Sequence, residues 1–207
     1  MKGCDKMGTK EKILETSIDL FAERGFHDVS IREITKAVGI KESSLYNHFT
    51  SKQQILDEIF EYLVQRFESM SVPEEEAVRL IEKMNPSEFM EMCMMSFKMY
   101  FGEPKLMKIW RIISIERFRN ERANEFFVRQ LIDTPLTYQS IVFDSMIKKG
   151  LMKEQDPMVL ARAFYSFMIF IYTRYFEVGN QENPAEDPHI QEMVKSHMDF
   201  LTRVISK

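Results

Sequence analysis

The sequence predicts an all-α fold, and three observations predict it. Glycine and proline number only seven each in 207 residues, too few for the turn-rich pattern of sandwiches and barrels. Leu, Ile, Met, Phe, Glu and Lys dominate instead, a composition that favours long helices. Capping boxes and helix-start prolines recur along the chain and divide it into helical lengths.

The first helix is expected from Lys10 to Arg24, with Thr9 as its cap and Ile13, Leu14, Ile18 and Phe21 at helical spacing. Gly25 ends it in a left-handed turn. Ser30-Ile31-Arg32-Glu33 is a capping box, with Val29 placed to staple onto Ile34, so a second helix begins at Ile31 and stops at Gly39. A third short helix follows over Glu42 to Phe49. Ser51-Lys52-Gln53-Gln54 reads as another capping box, opening a fourth helix with Ile55, Ile59, Tyr62, Leu63 and Phe67 on its apolar side. Pro73, Pro86 and Pro104 mark further starts, giving helices over 74–84, 87–101 and from Pro104 to Asn120. Pro135 interrupts or restarts 121–149, and Gly150 closes that segment. Asp156-Pro157 opens a helix to Phe176, and a last amphipathic helix covers His189 to Ile205.

Charge tests partners. The chain carries a net charge of -4, which taken alone counts against nucleic acid, since affinity for DNA comes largely from neutralised phosphates. The charge is unevenly spread: residues 1–52 hold nine Lys and Arg against eight Asp and Glu, so the acidity belongs to residues 53–207. Cys4 and Cys93 suit neither a disulfide framework nor a zinc site and point to a reducing cytoplasm. The N-terminal Met1-Lys2-Gly3-Cys4-Asp5 lacks the apolar run of a signal peptide. The apolar run from Ala163 to Thr173, bounded by Arg162 and Arg174, is too short to span a bilayer, so no membrane partner is expected.

Two helices joined by a glycine turn, over 31–38 and 42–49, form the pattern of a helix-turn-helix. The second presents Ser43, Ser44, Tyr46, Asn47 and His48 outward while Leu45 and Phe49, four apart, share the inner face. An ordinary solvated helix carries Glu, Lys and Arg there; a polar, uncharged face suits base edges in a major groove. Lys52 begins the next helix, where a cation opposes the helix dipole. A DNA phosphate would resolve that conflict, and a solvated lysine is the plain alternative. Ser30 faces the same side and could share a phosphate with the free amides of its helix. Glu42 either turns to solvent or accepts from a cytosine amino group.

Ile13-Leu14, Leu20-Phe21, Glu23-Arg24-Gly25-Phe26, Val29 to Ile34, Ala37-Val38-Gly39-Ile40, Leu45 to Phe49 and Ser51-Lys52 stand together in an order and spacing that resembles the DNA-binding domain of the tetracycline-repressor (TetR) family. The resemblance covers Thr9 to Leu56. It implies an N-terminal three-helix helix-turn-helix DNA-binding domain, residues 1–52. Behind it comes a larger helical ligand-binding and dimerisation domain, residues 53–207, with about nine to ten helices. It further implies that Ser30, Lys41, Ser43, Ser44, Tyr46, Asn47, His48 and Lys52 occupy DNA-touching positions, with Tyr46 and Lys52 on phosphates and Ser43, Ser44 and Asn47 nearer bases. The family often has a hydroxyl residue where Lys41 stands and a basic one where Glu42 stands, so this recognition helix lacks a good side-chain cap.

One recognition helix makes too few contacts for specificity, so a homodimer on a palindromic operator of double-stranded DNA is expected. Phe164 and Ile171 of the segment 158–176, with Met193, His197, Leu201 and Val204 of the last helix, are candidate dimer residues; interior core explains either helix equally well. Five methionines between Met90 and Met99 suit a pocket for an unknown small, largely apolar effector, and suit core packing too. Met94, Phe97, Tyr100, Trp110, Phe118, Tyr138 and Tyr165 are the candidate lining. Arg111, Glu116 and Arg117 could anchor a polar ligand group, against a solvated or intrahelical role. No catalytic residue, cofactor or metal is expected: His27, His48, His189 and His197 form no zinc motif, and Asp187 with His189 and His197 makes a poor ligand set. The resemblance implies a cytoplasmic, nucleoid-associated, ligand-responsive transcriptional regulator, by default a repressor. The alternative is a helix-turn-helix protein with no small-molecule effector, constitutive or governed by a protein partner.

Overall fold

A computed structural model describes residues 8–70, 72–81, 84–177 and 186–206. Eleven α-helices and no strands are present among them: α1 Thr9–Arg24, α2 Ile31–Val38, α3 Glu42–Tyr46, α4 Lys52–Met70, α5 Glu74–Ile81, α6 Pro86–Phe101, α7 Pro104–Glu116, α8 Glu121–Phe127, α9 Thr134–Lys148, α10 Pro157–Ile171 and α11 Pro188–Ile205. Wide π-helical turns, Val128–Asp133 and Tyr172–Glu177, join α8 to α9 and extend α10.

Local signals explain most boundaries. Gly8, with no side-chain cap, precedes α1, so Thr9 is the first helical residue rather than the expected cap. Gly25 ends α1 at φ 83°, ψ 157°, with positive φ but outside the left-handed helical region expected, and its amide donates to Phe21 O. Gly39 does reach that region, at φ 78°, ψ 34°, where a Cβ would be strained. Gln54 N donates to Ser51 Oγ at 3.1 Å, but the return arm goes one residue further back, Gln54 Oε1 accepting from Thr50 N at 2.6 Å. Asp156 caps α10 through Met158 N and Val159 N, and Asp187 caps α11 through His189 N, each ahead of a first-turn proline.

Helix α3 is shorter than its periodicity predicts. It ends at Tyr46, and the chain closes in a turn in which His48 N and Phe49 N both donate to Leu45 O. At 1.5 Å per residue its axis is about 7 to 8 Å long.

The chain forms two compact units, Met1–Ser69 with Lys108–Asn124, and Met70–Met107 with Glu125–Lys207. The packing boundary therefore differs from the functional division expected at residue 52: α4 up to Ser69 and most of α7 pack with the head. In the first unit Ile13, Phe21, Ile34, Leu45, Phe49, Ile55, Leu56 and Leu63 are fully buried, with Ile109, Ile112 and Ile113 of α7. Phe67 of α4 meets Trp110 at 5.7 Å between ring centroids. Ion pairs Lys10–Glu58, Lys108–Asp19 and Arg122–Asp57 lie on its surface. The second unit buries Phe89, Phe143, Met146, Phe164, Met168 and Ile171 together with Ile190, Val194, Met198, Leu201 and Ile205 of α11.

Candidate nucleic-acid interface

The interface begins at the α2 cap. Ser30 N donates to Glu33 Oε2 at 2.8 Å and Glu33 N donates to Ser30 Oγ at 3.3 Å, the reciprocal pair expected. Ser30 Oγ also donates to Glu33 Oε2 at 2.7 Å, so a phosphate would have to displace Glu33 to receive that proton. Arg24 completes the arrangement, reaching Glu33 Oε1 at 2.8 Å and Asp28 O at 2.6 Å. The Ser30 backbone amide and hydroxyl, with the Arg24 guanidinium, hold the Glu33 carboxyl down at about 2.

The next part is α3. Leu45 and Phe49 are fully buried, which turns Lys41, Ser43, Tyr46, Asn47 and His48 to the exterior, with Ser44 half-buried. Tyr46 keeps 53% of its surface exposed. Lys41 caps α3 with backbone alone, as its side chain predicts.

Lys52 has partners within the protein that neither reading of the sequence includes. Its ammonium donates to Phe26 O and Val29 O, each at 2.7 Å, and stands 4.3 Å from the Phe26 ring centroid. Burial lowers its pKa, against the attraction of Glu116, Asp28 and Glu33. The lysine is a strut between α4 and the turn before α2, not a freely solvated cation.

Residues 13–59 match the family model described as bacterial regulatory proteins, tetR family. That N-terminal stretch is therefore a TetR-type DNA-binding domain by its match to the family model. The TetR match continues in curated relatives: the chain is 44% identical over 54 residues to the HTH-type transcriptional repressor KstR2 of Rhodococcus jostii (strain RHA1), 26% of each chain. The match thus spans about a quarter of that relative's length. Solved structures extend the TetR likeness along the whole chain as a fold. A transcriptional regulator (TerR/AcrR family) from Aquifex aeolicus VF5 superposes with a TM-score of 0.68 at 20% identity, covering 94% of this chain and 99% of the other. AibR in complex with isovaleryl coenzyme A and operator DNA gives 0.62 at 23% identity, covering 91% and 97%.

Beyond the TetR domain, several expected site residues are relocated. Trp110 is buried in the first unit against Phe67, so it serves that unit's core rather than a pocket of the second. Phe118 is 80% exposed beneath the Arg117 guanidinium and cannot line an enclosed pocket. Tyr138 and Tyr165 are half-buried, their hydroxyls donating to Val72 O and Leu131 O. The side chains of Met94, Phe97 and Tyr100 lie outside the described ones. Glu116 is neither solvated nor intrahelical: it is 1% exposed and accepts from the Phe26 amide. Burial pushes the Cys93 thiol up to about 12, which keeps it protonated and a poor nucleophile near neutral pH. Among the described residues no three His, Cys, Asp or Glu gather to hold a metal, and no helix is long and apolar enough to cross a membrane.

The single apolar stripe expected on α11 is two stripes. Ile190, Val194, Met198, Leu201 and Ile205 face the core and Met193 packs against its edge, while His197, Phe200 and Val204 share the other face. Phe164, Ile171 and Leu201, expected at a dimer surface, are therefore interior residues, 5% exposed or less, because they fill the second unit's own core. Val204 and Phe200 are exposed, Met193 and His197 half-buried, and the His197 ring stacks on Phe167 of α10 at 4.1 Å. On α10 the exposed Val159, Ala163 and Phe170 form a matching stripe. Phe200 is absent from the stripe that the sequence suggests; its i, i+4 relation to Val204 and i−3 relation to His197 is the signal that finds it.

Proposed function

We propose that this chain is a ligand-responsive transcriptional regulator that binds a palindromic operator as a homodimer and acts as a repressor. The observation that carries this reading is α3. In α3 and the turn that closes it, Leu45 and Phe49 point inward while Ser43, Tyr46, Asn47 and His48 are exposed, in a domain that matches the TetR family. In this reading residues 1–52 engage DNA, with Lys41 and Tyr46 on phosphates and Ser43, Ser44 and Asn47 toward base edges. Residues 53–207 bind the effector and dimerise. The exposed apolar stripes of α10 and α11 support a dimer surface, since contiguous apolar area of this kind marks association sites. Release by a small, largely apolar effector, which shifts the population of the DNA-competent arrangement, accounts for control. The protein then works in the cytoplasm on the nucleoid.

A second reading, regulation without a small molecule, is favoured by the internal hydrogen bonds of the Tyr138 and Tyr165 hydroxyls, which remove two polar handles from any ligand. Selection of duplexes from a random pool, followed by fluorescence anisotropy, tests both. Enrichment of an inverted repeat is expected. Failure to enrich any duplex overturns the regulator reading, and an operator affinity indifferent to a panel of apolar acids, amines and thioesters favours the second.

A further inference from the structure

We propose that Glu116 is a positioning residue for DNA binding: its buried carboxylate, at the end of α7, fixes the turn between α1 and α2 by holding the Phe26 amide. The inference rests on the DNA-binding reading above and assigns it a control point outside the helix-turn-helix sequence.

Glu116 Oε1 accepts from Phe26 N at 3.0 Å, a bond between residues ninety positions apart. Oε2 lies 3.3 Å from His27 Nε2, close enough for an ion pair when the imidazole is protonated but not aligned for a hydrogen bond. Lys52 takes Phe26 O and Val29 O from α4. Both backbone polar groups of Phe26 are thus satisfied by side chains from two other helices, while its ring packs edge-on against Phe21 at 5.3 Å. Three and four residues further on stand Val29, which is buried, and Ser30, the cap of α2. Whatever holds Phe26 therefore sets the entry of α2, and α2 packs on α3.

The choice of residue argues for this role. A carboxylate in the last turn of a helix is opposed by the helix dipole, and a buried charge is costly unless it is paired and hydrogen-bonded. A neutral or basic residue would serve α7 better. At Gly25, which has a φ of +83°, an added Cβ would lie 3.4 Å from Ile115 Cγ2 and 3.6 Å from Glu116 Oε1, so the end of α7 is seated directly against the turn. Movement of that helix end acts on Phe26 without passing through α2 or α3.

The test uses the full chain with the duplex that the wild type selects from a random pool. Glu116→Gln keeps an acceptor oxygen for Phe26, whereas Glu116→Met keeps length and removes the acceptor. The Met variant is expected to bind about tenfold more weakly and to exchange its Phe26 amide about tenfold faster, with the Gln variant within about threefold of wild type on both. Should the Met variant not fold, Glu116→Asp, which withdraws the oxygen by one methylene, takes its place with the same expectation. Unaltered affinity in a folded Met or Asp variant overturns the proposal, even if its melting point falls, because the role would then be stability alone. So does a Gln variant as weak as Met, or unchanged Phe26 exchange. If the wild type selects no duplex, the DNA reading fails by itself, and Phe26 exchange still judges the clamp.

Discussion

The Lys52 ammonium bonds the carbonyls of Phe26 and Val29 together, each at 2.7 Å. It thereby ties the first residue of α4 to the turn ahead of α2. Two carbonyl dipoles supply the negative end that a cation at a helix N-terminus otherwise lacks.

Lys52→Met should therefore lower unfolding stability by about 1.5 to 3 kcal/mol, the range for hydrogen bonds to charged groups. Lys52→Arg should not restore it, since a planar guanidinium spreads the donors that one nitrogen here brings together. Urea denaturation of the three proteins gives the comparison; equal midpoints would deny Lys52 its role as a strut.

The Glu33 cap makes stability depend on acid. Its carboxyl falls from an ordinary 4.5 to about 2 on folding. A depressed folded value means that the stabilisation is present above the unfolded value and lost as pH falls through the folded one. Near neutral pH, Glu33→Gln should melt below wild type, and the gap should narrow as pH drops from about 4.5 toward 2. A gap independent of pH would show that the carboxylate charge contributes nothing.

On α3 the expected effects divide by contact type. Lys41→Ala should weaken all duplexes alike and flatten the salt dependence of binding by about one unit of slope, as for one lost phosphate contact. Asn47→Ala should instead cost about 1 to 3 kcal/mol of discrimination at one base position. Both residues are exposed, so melting points should hold. A uniform loss for Asn47→Ala would reassign it to the backbone.

The outward stripes of α10 and α11 predict the assembly state. Phe200→Glu combined with Val204→Glu places charge where 53% and 42% of those side chains are exposed, so the fold should persist while the dimer dissociates. Light scattering after gel filtration measures this, and a double variant with the mass of the wild type would remove this face from the interface.

What the sequence disclosed was local. The Ser30–Glu33 box, the stop at Gly39 and the Asp-Pro starts of α10 and α11 depend on residues a few positions apart, and these agree with periodicity and capping rules. What it concealed was tertiary. The partners of Lys52 lie 26 and 23 residues away and that of Glu116 lies ninety away, and no spacing rule reaches so far. The two faces of α11 read as one in the sequence because an apolar side chain reads the same whether it meets its own core or the outside. Periodicity extends α3 too far because Phe49 stays buried through a tight turn that keeps it near its helical position.

The division of labour within α3 has an evolutionary corollary. Leu45 and Phe49 seat the segment, while Ser43, Asn47 and His48 stand on its outer side, so in the DNA-binding reading proposed above foldedness and target choice are written in different letters. After gene duplication, a copy can exchange the outer letters and drift toward a new genetic address without first surviving a loss of structure.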